Sequence, residues 1–346
     1  MACTRSTRIL ALVPFLALCL QSCRAATPGA PVAEASETLS TVAADPAETG
    51  FEGVWDSSFG IVRFAREDRR FQGTYTYAAG ATLTGELEGR VLRGSYHEPA
   101  TSGEGVHGRF AFELAQDGQS FRGTWGTGDG DVLDPHDRRA QRWSGQRVRG
   151  EPDRIWFVIL EENWEGSLRE PEYSFGAMLR AFFERVPRIG VRQRFIHDKA
   201  DLERFCAELA GLVEPVVLYI SSHGSPEGLA IGNDGISPEA LGAALKSVGD
   251  LRLLHLGSCA VLAGDAPARI RAAAGKSFPI SGFVESVDWA ASAIVDFTYM
   301  QLVLEQGLEP AAAVEATRRM LTFANKPGDT GPLPGCDLVL SAPPQP

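Results

Sequence analysis

A histidine and a cysteine each follow a mainly apolar run, and their side chains suit covalent chemistry. The run 216–220 leads into Ser-Ser-His223-Gly, and the run 251–256 leads into Gly-Ser-Cys259. Such runs are typical of strands buried on both faces of a parallel sheet. In open α/β sheets, ligand-binding and catalytic side chains lie beyond the carboxyl ends of the strands. Because adjacent strands lie about 4.8 Å apart, we expect His223 and Cys259 to come within reach of each other.

These residue types favour acyl transfer. Cysteine is nucleophilic as the thiolate, and a neighbouring imidazole creates or stabilises that thiolate. Acyl transfer also needs N–H donors for the oxyanion. We expect the backbone N–H groups of Gly224 and Cys259 to serve, since Gly224 has no side chain to obstruct a substrate carbonyl.

Alternating strands and helices would position this pair. They predict a doubly wound, mostly parallel sheet, in a C-terminal domain over residues 152–341. The predicted strands are 155–160, 191–196, 216–220, 251–256, 278–283 and 337–340, and the predicted helices are 173–186, 198–212, 237–247, 266–274, 289–306 and 310–324.

A repeated pentad fills residues 51–148. It reads apolar, x, Gly, x, aromatic, and it starts at Phe51, Phe71, Leu92 and Phe121. Positions 1, 3 and 5 share one face of a strand, so the glycine lets an aromatic ring from a neighbouring strand lie over the backbone. With turn signals between the copies, the pattern predicts an antiparallel β meander or small barrel.

The amino terminus carries an export signal. Two arginines precede a short apolar run that ends in Leu-Gln-Ser-Cys23, which resembles the lipobox of bacterial lipoproteins. The resemblance implies that residues 1–22 are a signal peptide removed before Cys23, which then carries the lipid. Residues 23–50, rich in Ala and Pro, predict a solvated tether to the bacterial cell envelope. The alternative is an ordinary secretory peptide cut near residues 25–26.

Composition limits the partners. Lys and Arg number 33 against 44 Asp and Glu, and the formal net charge is −11. An acidic chain without a basic run is a poor candidate for binding nucleic acid. No P-loop, HExxH or CxxC zinc pattern occurs, so we predict no metal and no cofactor.

The two strand ends resemble those of the caspase-like (clan CD) cysteine peptidases, which include metacaspases, legumain, gingipains, separase and CHAT domains. That pattern is an apolar strand before His-Gly, then a second before a small residue and Cys. Residues 281–307 look most like CHAT domains. The resemblance implies that His223 is the general base and Cys259 the nucleophile of a cysteine endopeptidase. It also implies a thioester intermediate and a protein or peptide substrate.

The sequence departs from this family in places. Metacaspases carry an acid two residues before the nucleophile, which helps to bind a basic P1 side chain, and Gly257 stands there in this chain. Glu161 and Glu162 end the first strand, near where these peptidases build the P1 pocket, and would select Arg or Lys. The alternative for this glutamate pair is a solvated loop.

Other candidates suit chemistry less well. His255 precedes Cys259 by four positions, which is about 13 Å along a strand. It is therefore too far away to pair with Cys259, and we expect it to be a histidine of the core or of the sheet face. Cys206 is predicted to be a buried residue of a helix, and Cys336 to lie at the start of the last strand. For the whole chain, the alternative function is a catalytically inactive, CHAT-like surface binding or scaffold lipoprotein.

Overall fold

The computed structural model describes residues 50–343, apart from 79, 101–103, 131–133, 165–168, 170–172 and 322–336. The first part of the described chain is a closed antiparallel barrel in which each strand pairs with the next and β1 pairs with β8. This closure selects the barrel from the two predicted antiparallel arrangements. Its strands are β1 (Gly53–Ser57), β2 (Gly60–Glu67), β3 (Arg70–Tyr75), β4 (Thr82–Glu88), β5 (Val91–Glu98), β6 (Val106–Leu114), β7 (Ser120–Thr127) and β8 (Gln141–Arg147).

Aromatic rings fill the barrel, and glycines make room for them. Phe64 on β2 is paired with Gly73 on β3, and a Cβ added at Gly73 would lie 2.7 Å from the Phe64 ring. Gly145 on β8 faces Phe121 on β7 in the same way. Gly73 therefore has the predicted function of letting a neighbouring ring lie over the backbone, whereas a Cβ on Gly94 would meet the backbone of Thr84 and Gly85.

A six-stranded mixed sheet forms the second part. Its order is β10-β9-β11-β15-β16-β17, and every pair is parallel except that of the last strand, β17, with β16. The strands are β9 (Ile155–Glu162), β10 (Ile189–Ile196), β11 (Val216–Ser221), β15 (Leu251–Leu256), β16 (Ile280–Phe283) and β17 (Leu338–Ser341). Alternate side chains of these strands enter two separate apolar cores, which explains the continuous apolar runs.

Helices contribute to both cores. The first core takes side chains from α2 (Lys199–Glu208), α3 (Pro238–Leu245) and α4 (Ala266–Ala274). The second takes them from α1 (Phe175–Phe183), α5 (Trp289–Met300) and α6 (Pro310–Leu321). Several helices begin at side-chain caps: the side chains of Ser174, Asp198, Ser237 and Asp288 each accept a backbone N–H of the first turn.

Some local structure differs from the predictions. The predicted helix 198–212 ends at Glu208 and tightens into a short 3₁₀ turn, and the predicted helix 289–306 changes to a π turn after Met300. Three short strands after β11 were not predicted: β12 (His223–Ser225), β13 (Gly228–Ile231) and β14 (Asp234–Ile236) form a small antiparallel sheet. They are too short to produce a distinct apolar period.

One arginine links the barrel to the second part. The Arg63 guanidinium, on β2, donates to the carbonyl oxygens of Ala210 and Leu212, both at 3.0 Å. Burial lowers the pKa of Arg63. These carbonyls precede β11, so the barrel contacts the sheet near the amino end of that strand. In the part of the chain that the structure describes, no helix is long and apolar enough to span a membrane.

Replacing Gly73 with alanine is expected to destabilise the barrel. The new methyl group must displace the buried Phe64 ring, and overpacking of this kind costs about 1–3 kcal/mol. The matched control is Gly130→Ala, because a Cβ there meets no atom within 4 Å. Urea unfolding followed by tryptophan fluorescence should show a lower midpoint for Gly73→Ala alone. Equal midpoints for the two variants would contradict the proposed use of this glycine.

Candidate active site

The register between β11 and β15 places the His223 and Cys259 backbones at the same level. Ile220 is paired with Leu256, and each candidate follows its paired residue by three positions. The pairing continues beyond the strands, because Gly257 N–H donates to the Ile220 carbonyl at 2.9 Å. Ser222 N–H then donates to Ser258 Oγ at 3.2 Å. The two segments leave the sheet side by side.

His223 and Cys259 line one cavity of about 260 Å³ at this edge of the sheet. The structure therefore brings together the pair that the sequence singled out. The cavity is also lined by Trp164, Phe175, Tyr219, Ser221, Ser222, Gly257, Ser258, Val287, Trp289, Ser292, Ala293 and Asp296.

Gly224 allows the two segments to touch. A Cβ at this position would lie 2.6 Å from Val261 Cγ1 and 2.7 Å from the Cys259 carbonyl oxygen. Only a residue without a side chain fits, so the segment carrying His223 packs directly against the segment carrying Cys259. The predicted reason for the glycine was access of a substrate carbonyl, whereas the structure shows packing against the cysteine segment. Its use as an oxyanion donor stays a prediction.

The Cys259 thiol is half-buried and held by the backbone of the loop after β16. Val287 N–H donates to Cys259 Sγ at 3.5 Å. The next residue, Ala260, has φ of 56°, a left-handed conformation that is uncommon for a residue with a side chain. Ala260 is fixed there by donating to the Glu285 carbonyl at 3.0 Å. The backbone therefore turns sharply just after the thiol.

His223 has an exposed side chain beside a tryptophan and a backbone fixed by a carboxylate. The Trp164 ring lies 4.8 Å from the imidazole, edge to face. Glu162 Oε2 accepts the His223 backbone N–H at 3.1 Å, and Glu162 Oε1 accepts that of Gly232 at 2.8 Å. Glu162 thus holds both ends of the short segment that begins with the histidine.

Glu161 and Glu162 are buried, and neither lines the cavity. Glu161 accepts from Ser174 Oγ at 2.5 Å, from Gly176 N–H at 3.0 Å and from Gln193 Nε2 at 3.0 Å, at the start of α1. The interpretation of the pair as a solvated loop is wrong, because both follow the sheet into the interior. Their contacts anchor backbone, and the acidic residue that lines the cavity is Asp296.

Asp296 lies on α5 and belongs to a buried polar network. Its Oδ1 is 2.9 Å from His255 Nε2, and its Oδ2 accepts from the Tyr219 hydroxyl at 2.8 Å. His255 Nδ1 is 2.8 Å from Ser281 Oγ. His255 is therefore a core histidine, as predicted. Sequence reasoning missed Asp296, although a lone acid within the otherwise apolar run of α5 was a usable signal.

His197 and Cys206 lie outside the cavity. His197 is exposed and contacts Asp201 through Nδ1 at 3.0 Å. Cys206 is buried in α2, where burial raises the pKa of its thiol to about 12. Cys23 and Cys336 fall outside the described residues. Among the residues that are described, no group of His, Cys, Asp and Glu is arranged to hold a metal ion.

Comparison with known proteins finds similarity to solved structures. No protein-family model matches the chain, and no curated protein matches it. A crystal structure of caspase-1 from Spodoptera frugiperda is similar over 55% of this chain and 88% of that chain, with 9% sequence identity and a TM-score of 0.37. Similarity at this level assigns no activity to the cavity residues.

Gly224→Ala should separate the two segments. The added methyl group must push the His223 strand away from Val261 and Cys259, so we expect at least a tenfold slower alkylation of Cys259 by iodoacetamide. Gly235→Ala is the control, because it lies in the same small sheet and its Cβ would meet nothing within 4 Å. Alkylation followed by peptide mass mapping measures both. An unchanged rate in Gly224→Ala would show that this close packing does not support thiol reactivity.

Proposed function

We propose that this protein is a cysteine endopeptidase with a caspase-like, doubly wound fold that uses Cys259 and His223. One observation carries the proposal: the thiol and the imidazole line a single cavity at the carboxyl ends of two adjacent parallel strands. Sulfur with a neighbouring imidazole is suited to acyl transfer, and Cys259 is the cysteine among the described residues that line this cavity. We propose a protein or peptide as the substrate.

The first half of the reaction forms a thioester. His223 takes the Cys259 thiol proton, and the thiolate attacks the carbonyl carbon of the scissile amide. The resulting oxyanion requires N–H donors, for which we propose Gly224 and Cys259. When the C–N bond breaks, the imidazolium returns the proton to the leaving amine. The Val287 N–H holds the sulfur in place before attack.

The second half releases the new carboxyl terminus. His223 removes a proton from a water molecule that attacks the thioester carbonyl, and the C–S bond then breaks. The thiolate recovers the proton from the imidazolium, so the enzyme returns to its starting state with one water consumed. Glu162 acts as a positioning residue, because it holds the His223 backbone and touches no reacting atom.

We also propose that the chain acts at the bacterial envelope, anchored by a lipid on Cys23. The support is the lipobox-like sequence before Cys23 and the Ala- and Pro-rich tether after it. Arg24 follows the cysteine, whereas an aspartate there is the usual signal for retention in the inner membrane, so the outer membrane is the proposed destination.

The dyad predicts a reactive Cys259. Near pH 7 it should react with iodoacetamide faster than Cys206, whose buried thiol remains protonated. His223→Ala should remove most of this reactivity, and Cys259→Ala should abolish peptide cleavage. The double variant should lose little more than either single variant, since the two groups act as a unit.

The matched control is His197→Ala, which removes an exposed histidine outside the cavity and should leave labelling and cleavage unchanged. Cleavage by purified Cys259→Ala would refute the peptidase mechanism. A wild-type Cys259 no more reactive than Cys206, with no cleavage in a peptide library, would instead support the binding or scaffold lipoprotein.

Cys23→Ala should prevent lipid attachment. We expect an uncleaved or soluble form in a bacterial host, measured by membrane fractionation and incorporation of a labelled fatty acid. Cys19→Ala is the control, because that cysteine lies within the apolar run and precedes the cleavage point. Membrane partition that is the same for both variants would remove the lipoprotein interpretation.

A further inference from the structure

The cavity beside Cys259 combines aromatic walls with one acidic residue. Trp164, Phe175, Tyr219 and Trp289 supply the rings, and Asp296 supplies the carboxylate. No lysine or arginine is among its lining residues in the described part of the chain. A ligand that fills such a space needs an apolar or flat stem that packs against rings and a polar end that meets the carboxylate.

The hydrogen bonds around Asp296 indicate that its carboxylate can accept further hydrogen bonds. Burial and Asp296 itself raise the pKa of Tyr219 well above its usual value, so its hydroxyl keeps the proton that it donates to Oδ2. On the other side, His255 Nε2 lies 2.9 Å from Oδ1, and His255 Nδ1 lies 2.8 Å from Ser281 Oγ. Each carboxylate oxygen accepts two hydrogen bonds when fully used. One acceptor position therefore remains on each oxygen.

Gly257 opens the path between the thiol segment and this carboxylate. A Cβ on Gly257 would overlap the Tyr219 hydroxyl and lie 3.0 Å from Asp296 Oδ2. Because position 257 has no side chain, the Asp296 carboxylate reaches the cavity from the helix, immediately beside the segment that carries Cys259. The acid comes from α5, and the strand that ends in the nucleophile contributes none.

We propose that this cavity binds the substrate side chain next to the cleaved bond, and that Asp296 selects an arginine or lysine side chain there. This inference rests on the proposed peptidase function. The aliphatic stem packs between the aromatic walls, and the guanidinium or ammonium donates to the free acceptor positions of Asp296. Guanidinium groups also stack on aromatic rings.

The surrounding charges favour a cation over other side chains. Glu161 and Glu162 are buried at the end of β9, beside β11, and their described partners are backbone N–H groups, Ser174 and Gln193. A substrate carboxylate would therefore meet an acidic surrounding. An uncharged aromatic or aliphatic side chain would cover Asp296 and leave its acceptor positions without a donor, which is costly in a buried site.

The test compares charged and uncharged side chains of equal shape. Full-length enzyme is assayed with peptide substrates that differ only at the residue before the cleaved bond: arginine or citrulline, and lysine or norleucine. We expect the charged member of each pair to have a kcat/KM at least 100-fold higher. Asp296→Asn, which keeps the shape of the side chain, should reduce that preference to below tenfold, mainly through loss on the charged substrates.

The control for overall charge is Asp265→Asn. That side chain is exposed on the surface and contacts Arg269 at 3.7 Å, so its loss should leave the preference unchanged. If Asp296→Asn fails to fold, Gly257→Ala provides the second variant. Its methyl group displaces Tyr219 and obstructs Asp296, and it should weaken cleavage after arginine while Cys259 still reacts with iodoacetamide.

The outcomes separate this inference from the peptidase proposal. Cleavage that depends on Cys259 but shows equal rates for arginine and citrulline would overturn the role of Asp296 and leave the peptidase intact. A charge preference that persists in Asp296→Asn would also overturn it. Absence of cleavage of every peptide, with no His223-dependent labelling of Cys259, would overturn the peptidase proposal and this inference with it.

Discussion

The parallel pairing of β11 with β15 is the constraint on which the candidate site depends. Two strands that pair in register at Ile220 and Leu256 must end together, and the segments that follow then continue side by side. The Ser222 N–H to Ser258 Oγ hydrogen bond preserves that alignment after the sheet hydrogen bonds stop. A slip of one strand would place the His223 and Cys259 backbones at different levels and turn alternate side chains toward the opposite core.

Absent side chains shape the site as much as present ones. Gly224 lets the segment that carries His223 touch the segment that carries Cys259. Gly257 lets the side chains of Tyr219 and Asp296 lie against the backbone of the cysteine segment. Buried carboxylates fix the remaining backbone. Glu162 holds the start of the small sheet, and Glu161 holds the start of α1. The site is thus built from close backbone contacts and from charges satisfied by backbone N–H groups, which makes it sensitive to the addition of a single methyl group.

The strands and the thiol–histidine pair were accessible from the sequence because their signals are local. Leu251–Leu256 is apolar except for Arg252 and His255, and the predicted length matches the observed strand. Asp296 and Glu162 were harder to assign, because their partners are distant in the chain: Tyr219 precedes Asp296 by 77 positions, and the Glu162 contact with His223 spans 61. No local pattern reports such pairings. The small sheet β12–β14 escaped prediction for another reason, since strands of three or four residues are too short to show a period.

The Arg63 contact gives the molecule two functional ends. Arg63 binds carbonyl groups just before β11, whereas the cavity lies just after the same strand. β11 has six residues, so at about 3.3 Å per residue the strand separates these two levels by roughly 20 Å. The cavity therefore lies at the edge of the sheet opposite to the one where Arg63 attaches the barrel.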